Sequence, residues 1–464
     1  MKSSHFILWM SLATRITRAW KNCSSGGGVC PSFATCCETG EAGVSACITS
    51  RHAKDPDSSG TCCDSKTGCG YGFYCDLRGD HNDEPYCRLD RTNPPEDIFH
   101  DQPRYQLCTI PSAEMQTLYG FPISNTSSPQ LAYHSNMGPI TKSNTKHLNV
   151  QKVLIIIHGS GRNADDYFCL GLSLIPETEH DNVLVIVPKF LAPEDEILSS
   201  NHQFLIWQDR SNQYYPLGHS WRYGANAINA PISSYETLDQ IVEYLLATAP
   251  LRFPNLKLIS LAGHSAGGQV VHRWALLSNS LAWRNPHVEV RAIAANPRSY
   301  CYLDKRRLIP HHDIINNSTK MVFETPSKKS VDRCPDYNAW NWGLGPGGDL
   351  NVPYKDTSLQ ITPAHEMAMR YAYRNVVYLT GENDLIVQND HCATFEFQGR
   401  SRHERAIYYY KALKDFYEQR QAFGQELYTI PESPHDHFLM LQSEAGRKAI
   451  FDDTFILARP NSFA

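Results

Sequence analysis

Nowhere does the chain hold a run approaching the ~20 apolar residues that a membrane-spanning helix needs, so a soluble mature protein is expected. Positive charge is also short. Its 43 Lys and Arg against 48 Asp and Glu leave a formal net charge of -5, which withholds the basic footprint that nucleic-acid binding needs. Metal-ligand spacing is missing as well. His311-His312-Asp313 and the histidines near 435 have no third ligand at a recognisable spacing, so they read as surface or core histidines, and neither metal nor cofactor is expected. Almost no aliphatic periodicity is found between residues 23 and about 90, so crosslinks must replace a hydrophobic core there.

What fills that segment is cysteine. Of 15 in the chain, ten fall between Cys23 and Cys87, a density that a reducing cytosol rarely leaves as free thiols. Residues 23–90 therefore read as a small disulfide-held module. The other five cysteines, from Cys108 to Cys392, are an odd number, which leaves one unpaired thiol or a bond between the two regions. Residues 1–20 place Lys2 ahead of a short apolar run, Phe6 to Ala13, which resembles a secretory signal with a brief core. With the cysteines, this gives an expected secreted, extracellular location. Asn125, Asn316 and Asn317 open acceptor triplets for glycosylation, a pattern that chance also produces. Arg91 to Pro103, rich in proline and charge, reads as a linker.

From about residue 150 short aliphatic runs alternate with helical stretches, the mark of a mainly parallel sheet covered on both faces. The expected strands are Val153–Ile157, Val183–Val187, Leu256–Leu261, Val288–Ala295, Val376–Thr380 and Leu427–Ile430. Six such runs predict an α/β fold for residues 104–464. Ser233 to Glu236 forms a capping box, and Leu238, Ile241, Val242, Leu245 and Leu246 follow at helical spacing. Two excursions, about 190–230 and 298–370, are rich in Trp, Tyr, Pro and Gly and are expected to build a substrate pocket or cap. Trp207, Trp221, Tyr223, Trp340 and Trp342 either line an apolar cleft there or pack.

The chemistry is concentrated in LKLISLAGHSAGGQVV, where a strand expected to end at Ala262 passes through Gly263-His-Ser265-Ala-Gly267 into a helix. Such a turn holds a serine in a strained conformation, and side chains two positions to either side would clash, which glycine avoids. Ser265 is the candidate nucleophile, and the Ala266 N–H at the helix start is a candidate oxyanion donor. His158-Gly159-Ser160-Gly161 follows the first predicted parallel strand. There Gly159 permits close approach of the backbone, the Ser160 N–H is the second candidate donor, and His158 reads as structural. The acid should follow a later strand, and Asp384 is favoured, with Glu382 and Asp390 as competitors. The base should lie past the last strand, where His435 is favoured over His437 because His437 approaches a helix expected near Phe438. The chain order Ser, Asp, His is that of one serine-hydrolase fold and differs from two unrelated ones.

With these residues in place, residues 150–455 resemble the α/β-hydrolase superfamily, and HGSG with GHSAGG looks esterase-like. The stretch IIIHGSGRNADDYF is similar to that of polyhydroxyalkanoate-depolymerase and feruloyl-esterase relatives, a resemblance that implies cleavage of a small-molecule or polymer-borne ester. The two excursions match no substrate-specific pattern. CPSFATCC at Cys30 to Cys37 and GTCCDSKTGCGYGFYCD at Gly60 to Asp76 resemble granulin repeats. Ala46 and Gly70 stand where that family carries further cysteines; the family's ladder would then leave Cys30 and Cys87 without their partners, able to pair with each other. An unrelated cysteine knot fits the same spacing. For function, a carboxylic-ester hydrolase leads. A serine peptidase or lipase on the same triad, and an inactive hydrolase that binds a matrix or protein through the cysteine-rich module, remain alternatives.

Overall fold

Strands buried on both faces must be apolar throughout, and the successive side chains of each then supply two different cores. The computed structural model shows this in an eight-stranded sheet. It describes residues 118–452 apart from 124–128, 142–144, 194, 196–203, 209–219, 314–317, 348–351, 388–390 and 418–423, together with the backbone of eight short strands between residues 20 and 89. The chain divides into two compact units, 1–107 and 108–464.

In the first unit, four antiparallel pairs are formed: Trp20–Asn22 with Val29–Pro31, Ala34–Glu38 with Ser45–Thr49, Thr61–Cys62 with Gly68–Cys69, and Phe73–Asp76 with Tyr86–Leu89. Residues 1–19 of the expected leader, the linker 91–103, Asn125, Asn316, Asn317 and Asp390 lie outside the described residues, as do the side chains of the cysteine-rich module.

The sheet of the second unit comprises β1 (Tyr119–Pro122), β2 (Gln130–Ser135), β3 (Lys152–Ile157), β4 (Val183–Lys189), β5 (Leu258–His264), β6 (Glu289–Ala295), β7 (Asn375–Gly381) and β8 (Gln425–Ile430). Their spatial order is β1-β2-β4-β3-β5-β6-β7-β8. β2 pairs antiparallel with β1 and β4, and every pairing from β4 to β8 is parallel. This is the α/β-hydrolase fold. All six expected strands are present, and each begins or ends one to three residues from the prediction. The consequential difference is β5, which runs two residues beyond Ala262 to His264 and delivers Ser265 directly from a strand. β1 and β2 carry no alternation in sequence and were not expected. Nor was the hairpin of Arg307–Asp313 and Ser318–Glu324 inside the second excursion.

Val153, Ile155 and Ile157 of β3 face a large core shared with Leu238, Ile241, Val242 and Leu245 of the Ser234–Arg252 helix. Leu154 and Ile156 face the opposite core, with Leu170 and Leu174 of the Ala164–Leu174 helix. The Ser234–Arg252 helix starts where the capping box places it, with Ser233 Oγ accepting from the Tyr235 N–H. Of the five aromatics offered either to a cleft or to packing, Trp207, Trp221 and Trp340 pack, buried in the same core as Val153, Ile155 and Ile157. The second excursion is also tied down covalently, through a disulfide between Cys334 and Cys392. Cys301 is a buried free thiol, and burial pushes it up to about 12.

Asp239, on the Ser234–Arg252 helix, accepts from Trp274 Nε1 at 2.8 Å and Ser278 Oγ at 2.6 Å, and its removal from water raises it from 3.8 to about 6. A carboxyl raised on folding favours the protonated native state. Its contribution is full below the unfolded value near pH 4 and is lost as pH rises through the folded value near 6. The Asp239→Asn variant is therefore expected to gain on the wild type between pH 4 and 6, measured as the difference in Tm across that range. An unchanged difference would show that Asp239 does not titrate there.

Candidate active site

β5 leads into Ser265 and the Ala266–Leu277 helix without an intervening loop. The reversal forces Ser265 to φ 58° and ψ -113°, in a region that a non-glycine residue enters only when its surroundings hold it there. Its backbone N–H donates to the Ala295 carbonyl at 2.9 Å. A Cβ on Gly263 would lie 2.5 Å from the Gly267 carbonyl, and one on Gly267 would lie 2.1 Å from the Ile157 oxygen and 2.7 Å from the His158 oxygen. The two glycine-rich turns singled out in the sequence are thus in backbone contact. Ala266 is buried at the start of the helix, Gly159 is buried in the facing turn, and Ser160 beside it is exposed.

His158 is structural. Its Nδ1 donates to the Gly159 carbonyl at 2.9 Å and its Nε2 accepts from the Phe190 N–H at 3.0 Å, which fixes the neutral tautomer and the shape of the turn.

Asp384 stands in a tight turn after β7, where its N–H donates to the Gly381 carbonyl at 3.1 Å. That turn is laced to the segment after β8. Glu382 N–H donates to Ile430 O at 3.0 Å and Asn383 N–H to Ser433 O at 2.9 Å. A Cβ on Gly381 would come within 2.4 Å of the Ser433 oxygen, so glycine is required for the two segments to meet. The result is a hydrogen bond of 2.7 Å between His435 Nδ1 and Asp384 Oδ2. The Asp384 side chain is fully buried, and that of His435 is 24% exposed. With Nδ1 donating to the carboxylate, a neutral His435 carries its lone pair on Nε2. The His435 ring lies 4.5 Å from that of His264, the residue before Ser265, which brings this histidine close to the elbow.

The competitors are placed elsewhere. Glu382 is exposed and accepts the Glu432 N–H at 3.0 Å. His437 opens a helix, His437–Gln442, one residue earlier than expected, and its Nε2 meets Asp166 Oδ2 at 2.8 Å. Tyr167 stacks on His437 and reaches His264 Nδ1 at 3.4 Å. Burial, with His435, His437 and Arg402 nearby, holds His264 well below the usual histidine range, so it stays neutral.

Three residues of this region were not singled out in the sequence. Arg402 places NH1 3.5 Å from Asp384 Oδ1, opposite the histidine. Arg273, fully buried on the elbow helix, holds the second excursion through Ser299 Oγ at 2.8 Å and Asn341 Oδ1 at 3.0 Å. Asn296, at the end of β6, accepts from the Gly381 N–H in the turn that carries Asp384. No periodicity marks them, since an isolated polar residue reads as surface until the fold buries it. The three His/Cys groups near enough to hold a metal among the described residues are Cys334, His391 and Cys392, and two of these sulfurs are already joined to each other. His311, from the histidine run, instead meets Glu324 across the hairpin at 2.7 Å.

No known family model matches the chain, and no curated protein matches its sequence. Among solved structures it is similar to LpqC, a poly(3-hydroxybutyrate) depolymerase from Bordetella parapertussis, at 20% identity over 75% of this chain and 92% of that one, with a TM-score of 0.43. It is also similar to poly(aspartic acid) hydrolase-1 from Sphingomonas sp. KT-1, at 18% identity over 72% and 98%, TM-score 0.43. A third is the siderophore hydrolase EstB from Aspergillus nidulans, at 14% identity over 73% and 95%, TM-score 0.33.

Proposed function

We propose that the chain is a serine hydrolase of carboxylic esters, in which Ser265 is the nucleophile, His435 the base and Asp384 the acid. The observation that carries this reading is the 2.7 Å hydrogen bond between the buried Asp384 and the part-exposed His435, whose ring lies 4.5 Å from that of His264, the neighbour of the strained Ser265. His435 Nε2 takes the Ser265 proton as Oγ attacks the ester carbonyl. Asp384 holds the tautomer and stabilises the imidazolium. The oxyanion develops toward the N–H of Ala266, at the positive end of the elbow helix, and that of Ser160, which Gly159 allows to approach. His435 then returns its proton to the leaving alcohol, and water activated by the same ring releases the acid. Esters are preferred over amides on chemical grounds, because alcohols leave without the full protonation an amine requires. The cysteine-rich segment, Cys23 to Cys87, and the signal-like start support a secreted protein whose granulin-like module binds a matrix, partner or polymeric substrate.

The test compares 4-nitrophenyl esters with matching 4-nitroanilides, using the wild type, His435→Gln and His437→Gln. Ester turnover should far exceed anilide turnover. His435→Gln should lose about 10⁴-fold or more, while His437→Gln, whose ring serves Asp166, should stay within about tenfold. Equal losses would remove the distinction between the two histidines, and a folded wild type that cleaves neither substrate would favour the binding-protein reading.

A further inference from the structure

We infer that Asn296 is a positioning residue for the acid, tying the turn that carries Asp384 to the strand end that holds Ser265. This rests on the serine-hydrolase reading above.

β6 and β7 run in parallel register as far as Ala295 opposite Leu379. One residue later the ladder stops, because Asn296 turns to φ 43°, a left-handed conformation that asparagine tolerates better than most residues. Its backbone N–H still donates to the Leu379 carbonyl at 2.8 Å. Its side chain then supplies the next acceptor, with Oδ1 taking the Gly381 N–H at 2.8 Å. Gly381 in turn accepts the Asp384 N–H at 3.1 Å, while Ala295, the residue before Asn296, accepts the Ser265 N–H at 2.9 Å. A path of three hydrogen bonds and short chain steps thus joins the nucleophile to the acid, with one side chain as its joint.

The side chain is retained at a cost. Asn296 is fully buried and its Nδ2 has no hydrogen-bond partner. A buried donor without a partner is unfavourable. Glycine would relieve both the backbone strain and the orphaned donor, but would lose the bond to Gly381 and the packing of a fully buried side chain. Aspartate would keep the acceptor and remove the donor, but would bury a second carboxylate near Asp384. Asparagine is the residue that keeps the acceptor without adding a charge.

The test measures kcat and KM for a soluble 4-nitrophenyl ester across pH in the wild type, Asn296→Gly and Asn296→Asp, with Tm recorded for each. Arg402, His264, His437, Asp166 and Tyr300, the charged and titratable groups around the acid–base pair, are common to all three proteins. In Asn296→Gly, kcat should fall about ten- to a hundredfold with KM within about twofold, as expected for a displaced catalytic group. The acidic limb of kcat/KM should move to lower pH, because a misplaced Asp384 stabilises the His435 imidazolium less. Asn296→Asp should recover most of kcat above its limb, and that limb should move to higher pH. A purely structural role predicts a lower Tm with neither limb displaced. The inference is overturned if Asn296→Gly keeps the wild-type kcat and limb, or if Asn296→Asp is no better than Asn296→Gly. A wild type with no ester turnover would instead overturn the serine-hydrolase reading.

Discussion

Alanine at Ser265 is expected to reduce ester turnover by about 10⁴- to 10⁶-fold, alanine at His435 by a similar factor, and the double substitution by no more than the larger single loss. The nucleophile and base act as one device: without Oγ there is nothing for His435 to deprotonate, and without the imidazole Oγ stays protonated. Their losses therefore cannot add. Neither change should disturb the fold. Ser265 is held through its backbone, by the N–H bond to Ala295 and the first helical bond from the Gln269 N–H at 3.1 Å, and alanine retains both. His435 is partly exposed and its loop is pinned by backbone bonds to Glu382 and Asn383. Circular dichroism and Tm should match the wild type in all three variants. Additive losses would mean that the two residues act in separate steps, and the triad assignment would fail.

The second large effect falls on the fold. Gly267→Ala is expected to cost more than about 4 kcal/mol, a large share of the stability of an ordinary domain. The added Cβ would sit 2.1 Å from the Ile157 oxygen and 2.7 Å from the His158 oxygen, both backbone atoms at the end of a central strand. No rotamer can relieve such a contact. Either the elbow helix moves off the sheet or β3 is displaced, and both cores are rooted in that strand. Soluble yield and Tm should collapse together. A control is offered by Gly138, at φ 72° with nothing within 4 Å of its missing Cβ, where alanine meets backbone strain alone and should cost about 1 kcal/mol. If the two variants were equally stable, the close approach of the two glycine-rich turns would be wrong.

These expectations were legible in the sequence to different degrees. The elbow was, because its chemistry demands glycine at fixed offsets from the serine, and Gly263, Gly267 and Gly268 each prove crowded by backbone. The parallel strands were, since burial on both faces leaves continuous aliphatic runs such as Val153 to Ile157. β1 and β2 were not, being short and mixed in composition. For the aromatics of the excursions the sequence left open whether they line a cleft or pack. Tryptophan in a loop has no periodicity to reveal its direction, and Trp207, Trp221 and Trp340 turn inward. Among the candidate acid and base residues, Asp384 and His435 are brought together, whereas Glu382 lies in solvent and His437 pairs with Asp166. The side chains that hold Asp384 were invisible for one reason. Arg402 and Asn296 are single polar residues whose meaning depends on contacts with residues 18 and 85 positions away in the chain.

The central claim, an activated serine at position 265, is tested most directly by labelling the purified protein with a fluorophosphonate and locating the adduct by peptide mass spectrometry. The predicted result is a single adduct on Ser265 in the wild type, absent from Ser265→Ala and strongly slowed in His435→Ala. A folded wild-type protein that never labels, or one that labels at another residue, would contradict it.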